Sequence, residues 1–115
     1  MKRKTIYIAG QIRNEKNYRA RFEAAHEWLE AMGWQVVNPI YLTEVFGTPT
    51  EVQSNPRLLR AVMDAELAAI QHLDAIYLLK GWERSEGARA ELAVALANKL
   101  IVIVEGNEDG AEVTQ

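Results

Sequence analysis

Apolar residues change their period several times along the chain, and each change marks an element. Thr5 to Ala9 is short, rich in β formers and stopped by Gly10, which predicts a strand followed by a tight turn. From about Asn17 the spacing lengthens: Tyr18, Phe22, Ala25, Leu29 and Met32 recur every three or four residues, as the buried stripe of a helix does. Gly33 ends that helix, because glycine accepts the left-handed C-terminal conformation without a Cβ clash. A second short strand is expected at about Gln35 to Val37, running into Asn38-Pro39.

From Pro39 to Pro56 no period is sustained, and a long connection of this kind reads as a binding loop or lid, or as a surface excursion with a local turn of helix. Its Tyr41 and Phe46 either cover a ligand or pin the loop to the core. Asn55-Pro56 opens the next helix, Asn55 accepting amide hydrogens and Pro56 occupying a first-turn position where its missing N–H costs nothing. Leu59, Val62, Met63, Glu66, Leu67, Ile70 and Leu73 then share one side through to about His72 or Leu73. Ala75 to Leu79 reads as a third strand, Lys80 to Arg84 as a loop, Ser85 as the cap of a helix from Glu86 to about Ala97, and Leu100 to Val104 as a fourth strand. The acidic, polar stretch 105–115 reads as a flexible tail, in which Ala111 to Val113 can add a short edge strand.

The order β-α-β-(loop-α)-β-α-β predicts a single-domain α/β fold: an open parallel sheet of four or five strands, flavodoxin-like or Rossmann-like, since each crossover is long enough for a helix. The unbroken apolar run Ile101-Val102-Ile103-Val104 supports burial on both faces. A strand order of 2-1-3-4 places the topological switch between the first and third strands, and ligands of open α/β sheets bind in such a crevice.

Composition narrows the function classes. A chain of 115 residues, 49% hydrophobic and 25% charged, can build one core and little else. Sixteen acidic residues against thirteen basic ones give a net charge of −3, which opposes wrapping a nucleic acid, although Arg57 and Arg60 or Lys2-Arg3-Lys4 can still meet one phosphate. With no cysteine, disulfides, thiolate catalysis and thiolate metal sites are excluded together. Neither a signal-peptide core nor a run of ~20 apolar residues is present, so the expectation is a cytoplasmic protein without a membrane partner.

Several residues can carry chemistry. Gly10-Gln11-Ile12-Arg13 lacks the later glycines of a dinucleotide fingerprint and the Gly-Lys-Ser/Thr of a Walker loop, leaving a turn with backbone donors and one arginine. Ser85 and Gly87 open the last helix, where spare N–H groups can either meet a phosphate or sugar hydroxyl or serve capping alone, and Glu86 opposes a phosphate by charge. Glu91 borders the apolar stripe of that helix, so periodicity leaves it either a solvated or paired carboxylate or a nucleophile. On a helical wheel Glu66 points toward its stripe, whereas Asp64 lies about 120° away, as a surface residue would. Asp74, just before a strand, suits a turn-forming or ligand-orienting role. His26 and His72 do not make a zinc spacing and read as surface or boundary residues. Trp28 and Trp34 are expected against the sheet, and Trp82 borders either the core or a nucleobase.

Taken in order, Ile6-Tyr7-Ile8-Ala9-Gly10, Asn38-Pro39, Asp64 to Asp74 and Ser85-Glu86-Gly87-Ala88-Arg89-Ala90-Glu91 make the chain resemble the nucleoside 2-deoxyribosyltransferase-like superfamily. That superfamily includes deoxynucleoside 5′-monophosphate N-glycosidases, and the chain looks nearest to a small bacterial and phage branch. The resemblance spans about Thr5 to Val104. It implies Glu91 as the nucleophile of a covalent glycosyl-enzyme, Asp64 as the group that protonates or orients the base, and Tyr7 near the sugar holding the glutamate. It further implies that Gly10, Gln11, Ile12 and Arg13 hold a phosphate, that Ser85 and Gly87 line the sugar or its 5′ end, and that Asn38 and Trp82 belong to the substrate site. Under this resemblance Asp64 faces the crevice and Glu66 becomes a satisfied boundary carboxylate. The implied ligand is a deoxynucleoside or, preferentially, its 5′-monophosphate, with no metal or organic cofactor. The implied assembly is a dimer or larger, for which Ala61, Ala65, Ala68 and Ala69 offer a close-packing helix surface. The alternative is a noncatalytic nucleotide-binding or sensing protein using the same crevice.

Overall fold

A computed structural model describes residues 3–107. The strands are β1 (Thr5–Ala9), β2 (Gln35–Val37), β3 (Ala75–Leu78) and β4 (Ile101–Val104), and the helices α1 (Tyr18–Ala31), α2 (Pro39–Glu44), α3 (Pro49–Ser54), α4 (Pro56–Ile70) and α5 (Glu86–Ala97). A single 3-10 turn, Trp82–Arg84, leads into α5. All strand pairs are parallel, in the order β2-β1-β3-β4. The expected single α/β domain, with the switch between β1 and β3, is therefore what the chain forms, with four strands among the described residues.

Strand alternation divides the core between two faces. Ile6 and Ile8 of β1, with Ala75 and Tyr77 of β3, meet Phe22, Ala25 and Leu29 of α1. Tyr7 and Ala9, with Ile76 and Leu78, meet Ile70 of α4 and Ala88 and Ala95 of α5. The small side chains of α5 matter here: Ala88 and Ala95 are buried with Glu91 at positions i, i+7 and i+3, one face of the helix, so α5 presses a carboxylate onto the sheet.

The stretch between Pro39 and Pro56 differs from the loop that the sequence suggests. It forms two short helices, each with a proline in its first turn. Asn38 caps α2 by accepting from the Ile40 N–H, and Thr48 and Glu51 form a reciprocal capping box on α3. Six-residue helices are too brief to show a period, which hid them from the sequence reading. Tyr41 is 47% exposed against the edge of the His26 ring and Phe46 is half-buried, and neither lines the cavity described below.

The start of the expected tail is also structured. The Glu105 N–H donates to the Leu78 carbonyl, its carboxylate accepts from the Lys80 N–H, and Arg21 reaches the same carboxylate at 3.3 Å. Gly106, at φ +88°, makes the turn that follows. The expected edge strand at Ala111 to Val113 lies outside the described residues. At the opposite end of the sheet, Asp74 accepts from the Thr5 N–H at 2.8 Å and from its hydroxyl at 3.1 Å, while the Asp74 N–H donates back to that hydroxyl. Asp74 thus joins the amino ends of β1 and β3, far from their carboxyl ends, and has no ligand-orienting place.

Candidate active site

A cavity of about 480 Å³ opens at the carboxyl ends of the strands, within the range of small-ligand sites. The fold brings its walls together from the turn after β1 (Gly10 to Asn14), the start of α1, the two short helices after β2, α4, and the 3-10 turn with the start of α5. Gly10 is required by packing rather than by its dihedrals. A Cβ there would stand 2.8 Å from Cδ1 and 3.0 Å from Cβ of Leu79, so a larger residue would have to displace that buried side chain.

At the cavity's base, the Tyr7 hydroxyl donates to Glu91 Oε2 across 2.5 Å, with Tyr7 fully buried and Glu91 7% exposed. Glu91 Oε1 has no protein partner among the described residues, yet no unpartnered side-chain oxygen there is sealed from solvent, so this oxygen is open to the cavity. Burial pushes the Glu91 carboxyl well above its ordinary range, the nearby Glu66 charge adds to this, and the Tyr7 hydrogen bond opposes it. Tyr7 is itself held neutral, by burial first and then by the charges of Glu91 and Glu66. Glu66 lines the same cavity from α4, and burial raises its carboxyl to about 7. The result is two electrostatically linked carboxyls, one of them oriented by a neutral phenol.

Asp64 stands apart from this group. Its side chain is exposed on α4 and is not part of the cavity wall; the helix delivers Glu66 there instead. The helical wheel alone agrees with this exposure of Asp64. Gly10, Gln11, Ile12, Arg13, Ser85 and Gly87 all line the cavity. Ser85 Oγ accepts from the Ala88 N–H at 3.1 Å, the ordinary capping bond. Asn38 and Trp82 do not reach the cavity. Asn38 is buried between the Ile40 N–H and the His26 ring, and Trp82 packs on the core beneath α5. His72 is exposed, Trp34 packs against the α1 core, and Trp28 is 42% exposed with its ring 6.1 Å from that of Tyr77.

Several cavity residues escaped the sequence reading. Phe22, Ile40, Val52, Leu59, Val62 and Met63 make an apolar wall; the spacing of Phe22, Leu59, Val62 and Met63 marks them only as core, and Ile40 and Val52 lie where no period is sustained. Arg19 and Arg84 join Arg13 on the rim, and nothing in their local sequence separates them from other surface arginines. Among the described residues, no three His, Asp or Glu side chains gather in a group suited to a metal ion. The cavity therefore brings together two raised carboxyls, an apolar wall and cationic side chains at its mouth.

A family model described as Domain of unknown function (DUF4406) matches residues 4–104. No curated protein matches the sequence. Among solved structures the fold is similar to that of a 2-deoxyribosyltransferase from the psychrotolerant bacterium Bacillus psychrosaccharolyticus, at 20% identity and a TM-score of 0.67, over 87% of this chain and 70% of that one. It is also similar to a CMP N-glycosidase of Clostridium botulinum, BcmB, at 23% identity and a TM-score of 0.56, over 88% of this chain and 70% of that one. At these identities the likeness is one of fold.

Proposed function

We propose that the chain, which belongs to this DUF4406 family, cleaves the N-glycosidic bond of a 2′-deoxynucleoside 5′-monophosphate through a glycosyl-enzyme intermediate on Glu91. The observation that carries this reading is the buried Tyr7–Glu91 hydrogen bond beside a second raised carboxyl, Glu66, on a cavity of nucleotide size.

The pair suits the chemistry. As the bond to the base breaks, positive charge develops at the anomeric carbon and the electron pair departs with the base nitrogen. The two linked carboxyls share one proton: it sits on Glu66, while Glu91, whose Oε2 takes the Tyr7 hydrogen bond, is ionised and attacks that carbon through Oε1, and the departing base takes its proton from Glu66. A carboxyl raised to about 7 keeps this proton at neutral pH and can still surrender it. Water, or an acceptor base in the transferring variant of the reaction, then attacks the same carbon, releases Glu91 and returns a proton to Glu66. With water, the net change is nucleotide plus water to free base plus 2-deoxyribose 5-phosphate. Glu66 takes the protonating role that resemblance gave to Asp64, because it is the α4 carboxyl in the cavity wall.

The test is chromatographic. A panel of deoxynucleosides and their monophosphates is followed for free base, with and without an acceptor base, using the parent protein, Glu91→Gln and Glu91→Ala. Release by the parent, reduced on the order of a thousandfold or more in both variants, is expected, with a sugar adduct on Glu91 by mass spectrometry. Full release by folded Glu91→Ala would remove it as nucleophile. Tight nucleotide binding without release by the parent would favour the sensing protein.

A further inference from the structure

Three arginines reach the cavity wall, and they are held in different ways. Arg19 is committed to carboxylates, with Nη2 2.7 Å from Glu44 and Nη1 3.5 Å from Glu23. Arg13 and Arg84 make no ion pair among the described residues. Arg13 Nη2 donates to Gln53 Oε1 at 3.2 Å, and Arg84 Nε donates to Gln11 Oε1 at 3.4 Å. An amide oxygen orients a guanidinium without neutralising it, so an arriving dianion need not displace a competing carboxylate.

The two arginines line the same cavity from the turns after two neighbouring strands. Arg13 belongs to the turn after β1, and Arg84 to the 3-10 turn after β3, just before the Ser85 cap. Gln11 spans between them: its Oε1 accepts from Arg84 while its Nε2 donates to the Arg13 carbonyl at 3.1 Å. Gly81 makes room on the far side. It lies at φ +89°, and a Cβ there would fall 2.6 Å from Arg84 Nη2, so the guanidinium lies directly on a backbone that has no side chain. Glu86 is the one acidic side chain among cavity residues 84–88 and sets the opposing charge. Ser85 and Glu91 are six residues apart, about 9 Å of rise along α5, so the start of the helix, next to Arg84, and Glu91 stand at different depths of the same cavity.

The geometry points to Arg84 as a specificity-determining residue that closes with Arg13 on the 5′-phosphate of the substrate, Gln11 coupling the two arms. This rests on the glycosidase reading above and deepens it: the crevice selects sugar phosphates, and its retained product is 2-deoxyribose 5-phosphate.

That product carries the clamp's ligand without any base, so it tests the clamp independently of base preference. Calorimetry would compare 2-deoxyribose 5-phosphate, 2-deoxyribose and inorganic phosphate on the parent, Arg84→Gln and Arg84→Lys. The sugar phosphate should bind the parent at least tenfold more tightly than either other probe. Arg84→Gln should lose about tenfold and Arg84→Lys recover part of it, and KM for a cleaved monophosphate should rise in Arg84→Gln far more than kcat falls. Unchanged sugar-phosphate affinity in Arg84→Gln overturns the proposal, as does a parent that does not prefer the sugar phosphate to 2-deoxyribose. Equal binding of inorganic phosphate and the sugar phosphate overturns the assignment to a sugar-borne group. Arg84-dependent sugar-phosphate binding without base release from any nucleotide would sink the glycosidase reading and leave the clamp standing.

Discussion

Two tyrosines lie one register step apart on neighbouring strands and face opposite ways. Tyr7 pairs with Ile76, and Tyr77 pairs with Ile8. Tyr77 joins the face covered by α1, a layer of Ile6, Ile8, Phe22, Ala25 and Leu29 with Trp28 at its border. Tyr7 joins the face covered by α4 and α5, where the same kind of apolar layer is interrupted by Glu91 and approached by Glu66. One side of the sheet is built for cohesion, whereas the other gives up cohesion by burying carboxyls. Buried charge raises the energy of the folded state unless it is paired or protonated, so such a placement is retained at sites that need an unusual proton affinity.

This contrast separates stability from chemistry by face. The largest effect is expected on the cohesive side: Leu29→Ala, at a fully buried position, should cost roughly 2–5 kcal/mol in denaturant unfolding and leave the turnover of the remaining folded protein intact. A loss of turnover in excess of the unfolded fraction would break the division. Next comes pH. Between 4.5 and about 7 the folded protein keeps a proton on Glu66 that the unfolded chain releases. The carboxyl's contribution is therefore full below 4.5 and lost as pH rises through about 7, amounting to about 3 kcal/mol. Glu91 acts in the same direction. Denaturation at pH 5 and pH 8 should show this decline, with Glu66→Gln flattening it and also lowering the rate of base release. A parent no less stable at pH 8 would contradict the picture. The smallest effect is the most pointed: Tyr7→Phe removes a hydrogen bond to a charged group, about 1.5–3 kcal/mol, and should slow turnover by that measure, whereas Tyr77→Phe should not slow it.

Much of this molecule is legible in sequence, for identifiable reasons. The three long helices repeat their period often enough to be read, the strands stand out as short runs of β formers bounded by turns, and Gly33 and Asn55-Pro56 carry specific terminal chemistry. Parallel topology then places the crevice, since the turns after β1 and β3 must lie at the same end of the sheet. Boundaries shifted only locally: Leu79 still pairs through its N–H with the Ala9 carbonyl, beyond the last strand residue, and Leu100 belongs to the turn after α5, where Lys99 takes φ +61°. The helices α2 and α3 carry the same cap-and-proline entrance as α4, at Asn38-Pro39 and Thr48-Pro49, but at six residues each they end before a period can confirm it. The wheel alone points Glu66 toward the apolar side of α4 and Asp64 away from it, and the structure sets Glu66 in the cavity wall with Asp64 exposed. Asn38, which the resemblance assigns to the substrate site, caps α2 and is not part of the cavity wall.

The Thr5–Asp74 clasp also bears on how the chain reaches its fold. These residues are 69 apart in sequence, so pairing β1 with β3 closes a long loop before any neighbouring contact can reward it. Strand pairing tolerates no shift by one: such a slip would turn Tyr7 toward α1 and put Ile6 or Ile8 beneath Glu91. The doubly bonded aspartate fits only one alignment of the two strands, and by rewarding that alignment at the first residue it guards against a misthreaded sheet that would keep most of its apolar contacts and lose its chemistry.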